Sequence, residues 1–331
     1  MELRQFGTTG MRVTEVCLGA MTFGRETPED ESREILDRYL DAGGNFIDTA
    51  NVYNRGASEE ILGRALGARR DRIVLATKCR MPMGSGPNDA GASRRVIRDQ
   101  VEASLRRLQT DWIDLYQIHC WDQNTPLEET LSTLNDLVRE GKVRYIGASN
   151  YTGWQLATAL GVSRTHGWEP YVSIQPQYSL VTRDIERELI PLAEYAGLAV
   201  LPWSPLGGGL LSGKYRPGEA PPADTRAADS TPSAVLMRLR IEDERNFAVA
   251  QAVADLATRL GKTMAQVALN WVLHRPGVTA PILGARTVTQ IEDNLGAIGW
   301  RLDDESLAAL EDASAIDPGY PYNFIDWIHA R

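Results

Sequence analysis

The chain has 331 residues, of which 43% are apolar and 24% charged, a composition typical of an ordinary globular protein. Its 35 basic and 44 acidic residues give a formal net charge of −9, which disfavours a nucleic-acid partner because phosphate-binding domains are normally basic. The widely spaced Cys17, Cys79 and Cys120 fit neither a disulfide framework nor a CxxC metal site. We expect a cytoplasmic protein without a metal or a membrane partner, because no apolar run has spanning length.

Short apolar runs alternate with amphipathic helices along the whole chain. Each run is continuously apolar, which is typical of parallel strands covered on both faces. Eight strands are predicted, at residues 16–20, 45–50, 73–78, 112–119, 143–149, 172–175, 198–203 and 280–285. This number favours a closed (β/α)8 TIM barrel over an open doubly wound sheet, whose dinucleotide-binding form would also show a GxGxxG turn after its first strand. We predict one α/β barrel domain over residues 1–331.

Local signals predict how the elements of this barrel begin and end. Residues 1–15 read as a β-hairpin, because two short runs flank a Gly-Thr-Thr-Gly turn. Residues 216–241 break the alternation and are predicted to be one long loop after strand seven. Helix starts are predicted at the following capping residues: Ser58, Ser93, Thr125 with Glu128, and Thr263 with Gln266.

Reactive side chains stand at the carboxyl-terminal ends of three successive strands, where barrels carry their chemistry. Asp48, Lys78 and His119 end strands two, three and four, and Tyr53 follows Asp48 in its loop. A lysine ammonium close to a phenol lowers the phenol's pKa from about 10 toward neutrality. Asp48 would keep the buried Lys78 charged, and His119 could orient a substrate oxygen. Each residue alone could be structural, but together they predict a proton donor aimed at a carbonyl oxygen.

Six separated motifs resemble the aldo-keto reductase superfamily. In chain order they are DTANVY, ATK, QIHCWD, GKVRYIGASNY, WSPLGGGLLSGKY and PILGARTVTQIEDN. The Trp-Ser-Pro-Leu loop is most similar to the bacterial and potassium-channel β-subunit-like branch. The resemblance implies a (β/α)8 barrel that binds a nicotinamide cofactor without a Rossmann motif, with Asp48, Tyr53, Lys78 and His119 as its catalytic residues.

The resemblance also implies three groups of cofactor contacts. Residues at the nicotinamide would be Ser149, Asn150, Gln175 and the stacking Trp203. A cofactor-covering loop, residues 204–241, would hold the pyrophosphate through Ser204, Pro205, Leu206, Gly208 and Lys214. The adenosine-phosphate end would be Gly284, Arg286, Gln290 and Asn294. Since Arg286 stands where a helix begins, it can bind a 2′-phosphate, which favours NADPH over NADH.

We therefore expect NADPH-dependent reduction of an aldehyde or ketone, such as a keto-sugar or a small dicarbonyl. Two alternatives stay open: a Schiff-base lyase that uses Lys78 as nucleophile, and a nicotinamide-binding sensor or regulatory subunit with low turnover. The aromatic tail, residues 317–331, is expected near the substrate. The physiological substrate, the direction of the reaction and the oligomeric state are not encoded in any readable pattern.

Overall fold

The computed structural model describes residues 1–223, 225–228 and 232–329. An antiparallel hairpin, β1 (Leu3–Gln5) and β2 (Arg12–Thr14), precedes eight parallel strands. These are β3 (Cys17–Gly19), β4 (Phe46–Asp48), β5 (Val74–Cys79), β6 (Ile113–Ile118), β7 (Val143–Ser149), β8 (Ser173–Gln175), β9 (Ala199–Val200) and β10 (Ile282–Gly284). All eight predicted strands and the hairpin are confirmed.

The eight strands form a ring. Neighbours follow the order β10-β3-β4-β5-β6-β7-β8-β9, so each strand pairs with the next along the chain and the last pairs with the first. Backbone bonds cross the seam between β9 and β10: Ile282 donates to the carbonyl of Pro202 at 2.8 Å, and Thr279 to that of Val200 at 2.9 Å. The predicted (β/α)8 class is confirmed.

Helices surround this ring and follow the strands in alternation. They are α1 (Glu29–Asp41), α2 (Ala57–Leu66), α3 (Arg94–Leu108), α4 (Leu127–Arg139), α5 (Gly153–His166), α6 (Leu189–Ala196), α7 (Pro232–Ile241), α8 (Glu244–Leu260), α9 (Met264–Leu273), α10 (Val288–Leu295), α11 (Asp304–Ser314) and α12 (Tyr322–His329). Two predicted starts are confirmed: Ser93 caps α3 through the amide of Val96, and Thr263 forms a capping box with Gln266 on α9.

The other two predicted caps are wrong, although α2 and α4 begin within two residues of the predicted positions. The Thr125 hydroxyl, expected to cap α4, donates instead to Asp122 Oδ2 at 2.7 Å. Ser58 lies inside the first turn of α2, where its hydroxyl donates to the carbonyl of Ala20 at 2.7 Å. In both cases the hydroxyl bonds a group other than the amides of its own helix: Thr125 bonds a residue of its own loop, and Ser58 bonds a residue that follows β3.

The segment after β9 is more regular than predicted. Short 3₁₀ turns cover Gly207–Ser212 and Arg226–Ala228, and residues 232–241 of the predicted loop form α7. Asp224 and residues 229–231 of the predicted cofactor-covering loop lie outside the described residues, as do residues 330–331 of the predicted tail. The described part of that tail includes α12.

Apolar side chains fill both sides of the sheet. Between the strands and the helices lies a continuous core that includes Ile47, Leu75 and Leu36. A second core fills the barrel interior: Phe6, Val13, Cys17, Phe46, Ala76, Leu115, Ala199, Leu201, Ala280 and Ile282. The hairpin supplies Phe6 and Val13 and covers the amino-terminal ends of the strands, where Thr8 bonds the carbonyl of Gly197 just before β9. The carboxyl-terminal end is the one left for chemistry.

Candidate active site

A polar layer lies directly above the apolar filling of the barrel. Because interior and exterior positions alternate along a barrel strand, the residues two positions after Phe46, Ala76 and Leu115 also face inward. Those residues are Asp48, Lys78 and Gln117, and Lys78 pairs with Gln117 in the register of β5 and β6. The strand register therefore places these three polar side chains together.

Lys78 is the centre of this layer and has no solvent exposure. Its Nζ lies 2.5 Å from Asp48 Oδ2, 2.8 Å from the carbonyl oxygen of Thr49 and 3.4 Å from the hydroxyl of Tyr53. Burial alone would disfavour the ammonium, but the charge of Asp48 and the oxygen of Tyr53 outweigh it and raise the pKa of Lys78. The lysine is held as a cation beside the phenol.

The second carboxylate oxygen of Asp48 is held by two amides. Gln175 Nε2 donates to Asp48 Oδ1 at 2.8 Å and Gln117 Nε2 at 3.2 Å, and the two glutamines bond each other at 3.3 Å. Sequence reasoning missed Gln117. The available signal was a polar residue within the apolar run of β6, two positions before His119 and thus on the same face of the strand.

Tyr53 is positioned by an unusual turn after β4. Asn54 and Arg55 follow it with positive φ values of 51° and 55°, a conformation that residues other than glycine adopt rarely. The Asn54 side chain donates to the carbonyl of Phe23 at 2.6 Å, which fixes the turn. The Tyr53 ring meets the imidazole of His119 edge to face, with ring centres 5.8 Å apart.

His119 is the fourth predicted catalytic residue, and its imidazole is largely buried. Burial, reinforced by the positive charges of Lys78 and Arg80, lowers the pKa of His119 to about 3. Its Nδ1 is buried without a hydrogen-bond partner among the residues that the structure describes. The imidazole is therefore neutral at physiological pH.

Hydrogen bonds link the residues predicted to contact the nicotinamide to this cluster. Asn150, with a φ of 54°, donates to the backbone carbonyl of His119 at 2.8 Å and accepts from the indole N–H of Trp203 at 3.1 Å. The Ser149 hydroxyl donates to the carbonyl of Gln175 at 2.8 Å. The ends of β6, β7, β8 and β9 are thus joined beside Tyr53.

A compact glycine turn follows Trp203. Ser204, with a φ of 55°, accepts from the amide of Gly208 at 3.0 Å, and Gly207, Gly208 and Gly209 also have positive φ. A Cβ at Gly209 would lie 2.3 Å from Cε of Lys214, so the lysine side chain crosses the turn. The other two predicted loop contacts lie deeper: Pro205 is buried and Leu206 packs against the outer core.

The four residues predicted for the adenosine-phosphate end converge at the start of α10. The backbone amide of Arg286 donates to Gln290 Oε1 at 2.8 Å, and the Asn294 side chain donates to the carbonyl of Gly284 at 3.2 Å. Gln290 and Asn294 therefore shape the turn between β10 and α10, while Arg286 stands at its edge, half-buried.

The fold and the comparisons with known proteins define an oxidoreductase of the (β/α)8 barrel class. The chain belongs to the aldo/keto reductase family, whose family model matches residues 15–315. Within the described ranges, none of the helices has the length and apolar character needed to cross a bilayer.

Three relatives illustrate the range of this similarity. The chain is 42% identical to the uncharacterized oxidoreductase YrpG of Bacillus subtilis (strain 168), over 94% of this chain and 95% of the relative. It is 35% identical to the norsolorinic acid reductase stcV of Emericella nidulans, over 96% of this chain and 82% of the relative. It is 36% identical to a probable voltage-gated potassium channel subunit beta of Oryza sativa subsp. japonica, over 90% of this chain and 91% of the relative. The predicted resemblance is confirmed.

Proposed function

We propose that this protein reduces an aldehyde or ketone to the alcohol with NADPH, and that Tyr53 donates the proton. The observation that carries the proposal is the position of Lys78 Nζ, 2.5 Å from the Asp48 carboxylate and 3.4 Å from the Tyr53 hydroxyl. A buried cation at this distance favours loss of the phenol's proton, because the phenolate left behind is stabilised by it. The phenol can thus protonate a carbonyl oxygen as negative charge develops there.

The neutral state of His119 supports Tyr53 as the acid. An imidazolium with a pKa of about 3 is almost absent at pH 7, so His119 holds no acidic proton to transfer. A neutral imidazole can still donate one N–H bond to the substrate oxygen. His119 would then orient the carbonyl, and the edge-to-face contact at 5.8 Å keeps its ring beside Tyr53.

The residues at the barrel mouth fit a nicotinamide dinucleotide. When bound, NADPH supplies the hydride that the carbonyl carbon accepts. Trp203, Ser149 and Asn150 would hold the nicotinamide, with Gln175 both near it and bonded to Asp48. The positive φ values of the glycine turn suit a backbone that approaches a pyrophosphate, and Lys214, which crosses the turn, can supply positive charge. Arg286 at the start of α10 can meet a 2′-phosphate. The remaining loop contacts, Ser204 and Gly208, shape that turn.

The two alternatives are distinguished by Lys78 and by turnover. A Schiff-base lyase needs a neutral, accessible amine, whereas Lys78 contacts three oxygens and has a raised pKa. A regulatory subunit would bind the cofactor with very slow chemistry. The three free cysteines suit a reducing compartment such as the cytoplasm. The partner of the protein would be its small carbonyl substrate.

The test is a screen of aldehydes, dicarbonyls and keto-sugars with the purified protein, in which the loss of NADPH absorbance measures the rate of reduction. We expect substrate-dependent oxidation of NADPH with turnover above about 1 s⁻¹ for at least one carbonyl. Tight NADPH binding with turnover below that rate on every compound would favour the regulatory alternative. Borohydride trapping of a substrate on Lys78 would favour the lyase.

A further inference from the structure

Arg80 is held in a strained position at the edge of the site. It is the first residue after β5, two positions beyond Lys78, and the amide of His119 bonds the carbonyl of Cys79 beside it at 3.1 Å. Its φ is 93°, a value that costs a non-glycine residue conformational energy. Strain of this kind persists only where surrounding bonds enforce it, and it clusters at functional sites.

Two hydrogen bonds enforce the backbone of Arg80. Its amide donates to Gln100 Oε1 at 2.8 Å, and its carbonyl accepts from the amide of Gly91 at 2.8 Å. Asn51, from the loop after β4, also donates to Gln100 Oε1 at 3.0 Å. The bonds connect Arg80 to α3 and to the loop that carries Tyr53, so its placement is part of the site's framework.

The guanidinium of Arg80 is poorly satisfied within the described part of the chain. Its Nε is buried without a partner, and one terminal nitrogen lies 4.0 Å from the sulfur of Met81. That sulfur also lies 4.0 Å from the thiol of Cys120, next to His119, which places the arginine on the His119 side of the mouth. No carboxylate among the described residues forms an ion pair with Arg80. A buried N–H donor without a partner is unfavourable, so an anion that accepts from Nε and from the more accessible terminal nitrogens would be stabilised there.

The nearby carboxylate of Asp122 is already engaged. Its oxygens accept from the amide of Ala92 at 2.8 Å, the hydroxyl of Thr125 at 2.7 Å and the amide of Asn124 at 3.1 Å. These bonds hold Asp122 in the loop after β6 rather than against the guanidinium. Asp122 and Arg80 interact only at longer range, through the attraction between their charges.

We propose that Arg80 binds an anionic group of the substrate, so that the preferred substrates are aldehydes or ketones that carry a carboxylate. A guanidinium binds a carboxylate with two parallel hydrogen bonds, which fixes orientation as well as affinity. The carbonyl oxygen then lies at Tyr53 and His119 while the carboxylate lies at Arg80. This inference rests on the proposed reductase function and adds the class of substrate.

The test compares 4-carboxybenzaldehyde with its neutral methyl ester, methyl 4-formylbenzoate, as substrates with NADPH. We expect the wild-type protein to have the higher kcat/KM for the acid. Arg80→Met should lower the acid-to-ester ratio of kcat/KM by about 10- to 100-fold, mainly through KM of the acid, because a charge-assisted pair is lost. Arg80→Lys should restore part of the ratio. Arg95→Met, which removes an exposed arginine of α3, should leave the ratio unchanged.

Two results would overturn the inference while leaving the reductase function intact. One is a wild-type protein that reduces acid and ester equally well, a comparison that needs no variant. The other is an Arg80→Met protein, folded by circular dichroism, in which both substrates lose the same fraction of kcat/KM, because Arg80 would then act through His119 or the local fold. A wild-type protein that reduces no carbonyl compound would overturn the proposed function itself, and this inference with it.

Discussion

Asp48 has two oxygens with different tasks. Oδ2 faces the ammonium of Lys78, and Oδ1 accepts from the amides of Gln117 and Gln175. A buried carboxylate that is fully hydrogen-bonded is fixed in orientation, and through it the lysine is fixed as well. The position of the cation beside Tyr53 therefore depends on side chains from four strands, together with the carbonyl oxygen of Thr49 just after β4.

The first prediction concerns Tyr53. Tyr53→Phe removes the hydroxyl that lies 3.4 Å from Lys78 Nζ and preserves the ring that contacts His119. General acid catalysis typically contributes ~10²–10⁴ in rate, so kcat should fall by about that factor. NADPH affinity, measured by fluorescence titration, should change less than about threefold. This is well below the change expected from the loss of a charge-assisted hydrogen bond to the cofactor. An unchanged kcat would show that another group donates the proton.

The second prediction concerns the stability of the buried pair. Lys78→Met leaves the Asp48 carboxylate buried with only amide donors, and breaking such a pair typically costs ~3–5 kcal/mol. The free energy of unfolding, from urea titration, should fall by about that amount. Lys142→Met is the matched control, since Lys142 pairs with Glu102 and Glu140 on the surface, where an ion pair contributes less than about 1 kcal/mol. Equal losses in the two variants would contradict the buried pairing.

The third prediction concerns pH. His119 has a pKa of about 3 when folded, against about 6.5 when unfolded, so between these values the unfolded chain binds a proton that the folded chain does not. Stability is then lost as pH falls below about 6.5. From pH 7 to pH 5 this one residue should lower the free energy of unfolding by about 1–2 kcal/mol. Over the same interval, the decrease for His119→Gln should be smaller than that of the wild type by this amount. Identical pH dependence in both proteins would mean that His119 is not desolvated.

At the scale of elements, the sequence predicted the strands and their ends well. Apolar runs identified all eight strands, and the strand ends gave Asp48, Lys78 and His119, because period and length are local properties. Hydrogen bonds between segments that are distant along the chain could not be predicted from the sequence. Gln117 acts across three strands, and the conformation of Arg80 depends on Gln100, twenty positions away. Such pairings are set by the closed barrel, not by neighbouring residues.

The long segment after β9 shows the same limit. Its proline- and glycine-rich centre predicted a loop throughout, yet residues 232–241 form α7. The helix-breaking residues are concentrated in residues 216–231. In the stretch that follows, Val235 and Leu239 have the apolar spacing of a helix. Helix propensity was present there and was obscured by the neighbouring breakers.

The fourth prediction belongs to the start of α10. Arg286→Ala should weaken NADPH while leaving NADH nearly unchanged, because only NADPH carries a 2′-phosphate for the guanidinium. The wild-type preference in kcat/KM is expected to be ~10–150-fold, and most of it should disappear in the variant. Arg38→Ala is the control. Arg38 belongs to α1 and lies 3.4 Å from Glu292 of α10, which stands beyond the first turn of α10. Equal weakening of both cofactors by Arg286→Ala would exclude this role.

At the scale of the whole molecule, the two ends of the barrel have separate tasks. The hairpin closes the amino-terminal end, where the ring of Phe6 meets that of Phe46 edge to face at 5.8 Å. Arg4 of the hairpin donates to the carbonyls of Leu273, Val278 and Thr279, at 3.1, 3.3 and 3.1 Å, beside the seam between β9 and β10. The hairpin thus stabilises the place where the ring closes.

The fifth prediction follows from this arrangement. Arg4→Met should lower the free energy of unfolding by about 1–3 kcal/mol, because three buried carbonyls lose a charged donor. Its kcat should stay close to that of the wild type, since the site lies at the opposite end of the barrel. Arg12→Met removes one exposed bond, to the carbonyl of Leu3, and should cost much less. A large loss of kcat in folded Arg4→Met would show that the two ends are coupled.

The division between strand-borne and loop-borne residues has a consequence for how such a protein can diverge. Asp48 and Lys78 belong to strands whose register the closed ring enforces, so a substitution there disturbs the whole barrel. Arg80 stands just outside β5, where the Gln100 side chain and the Gly91 amide hold its backbone. If Arg80 binds the substrate anion as proposed, a substitution at this position would change the preferred substrate without altering the strands that carry Asp48 and Lys78.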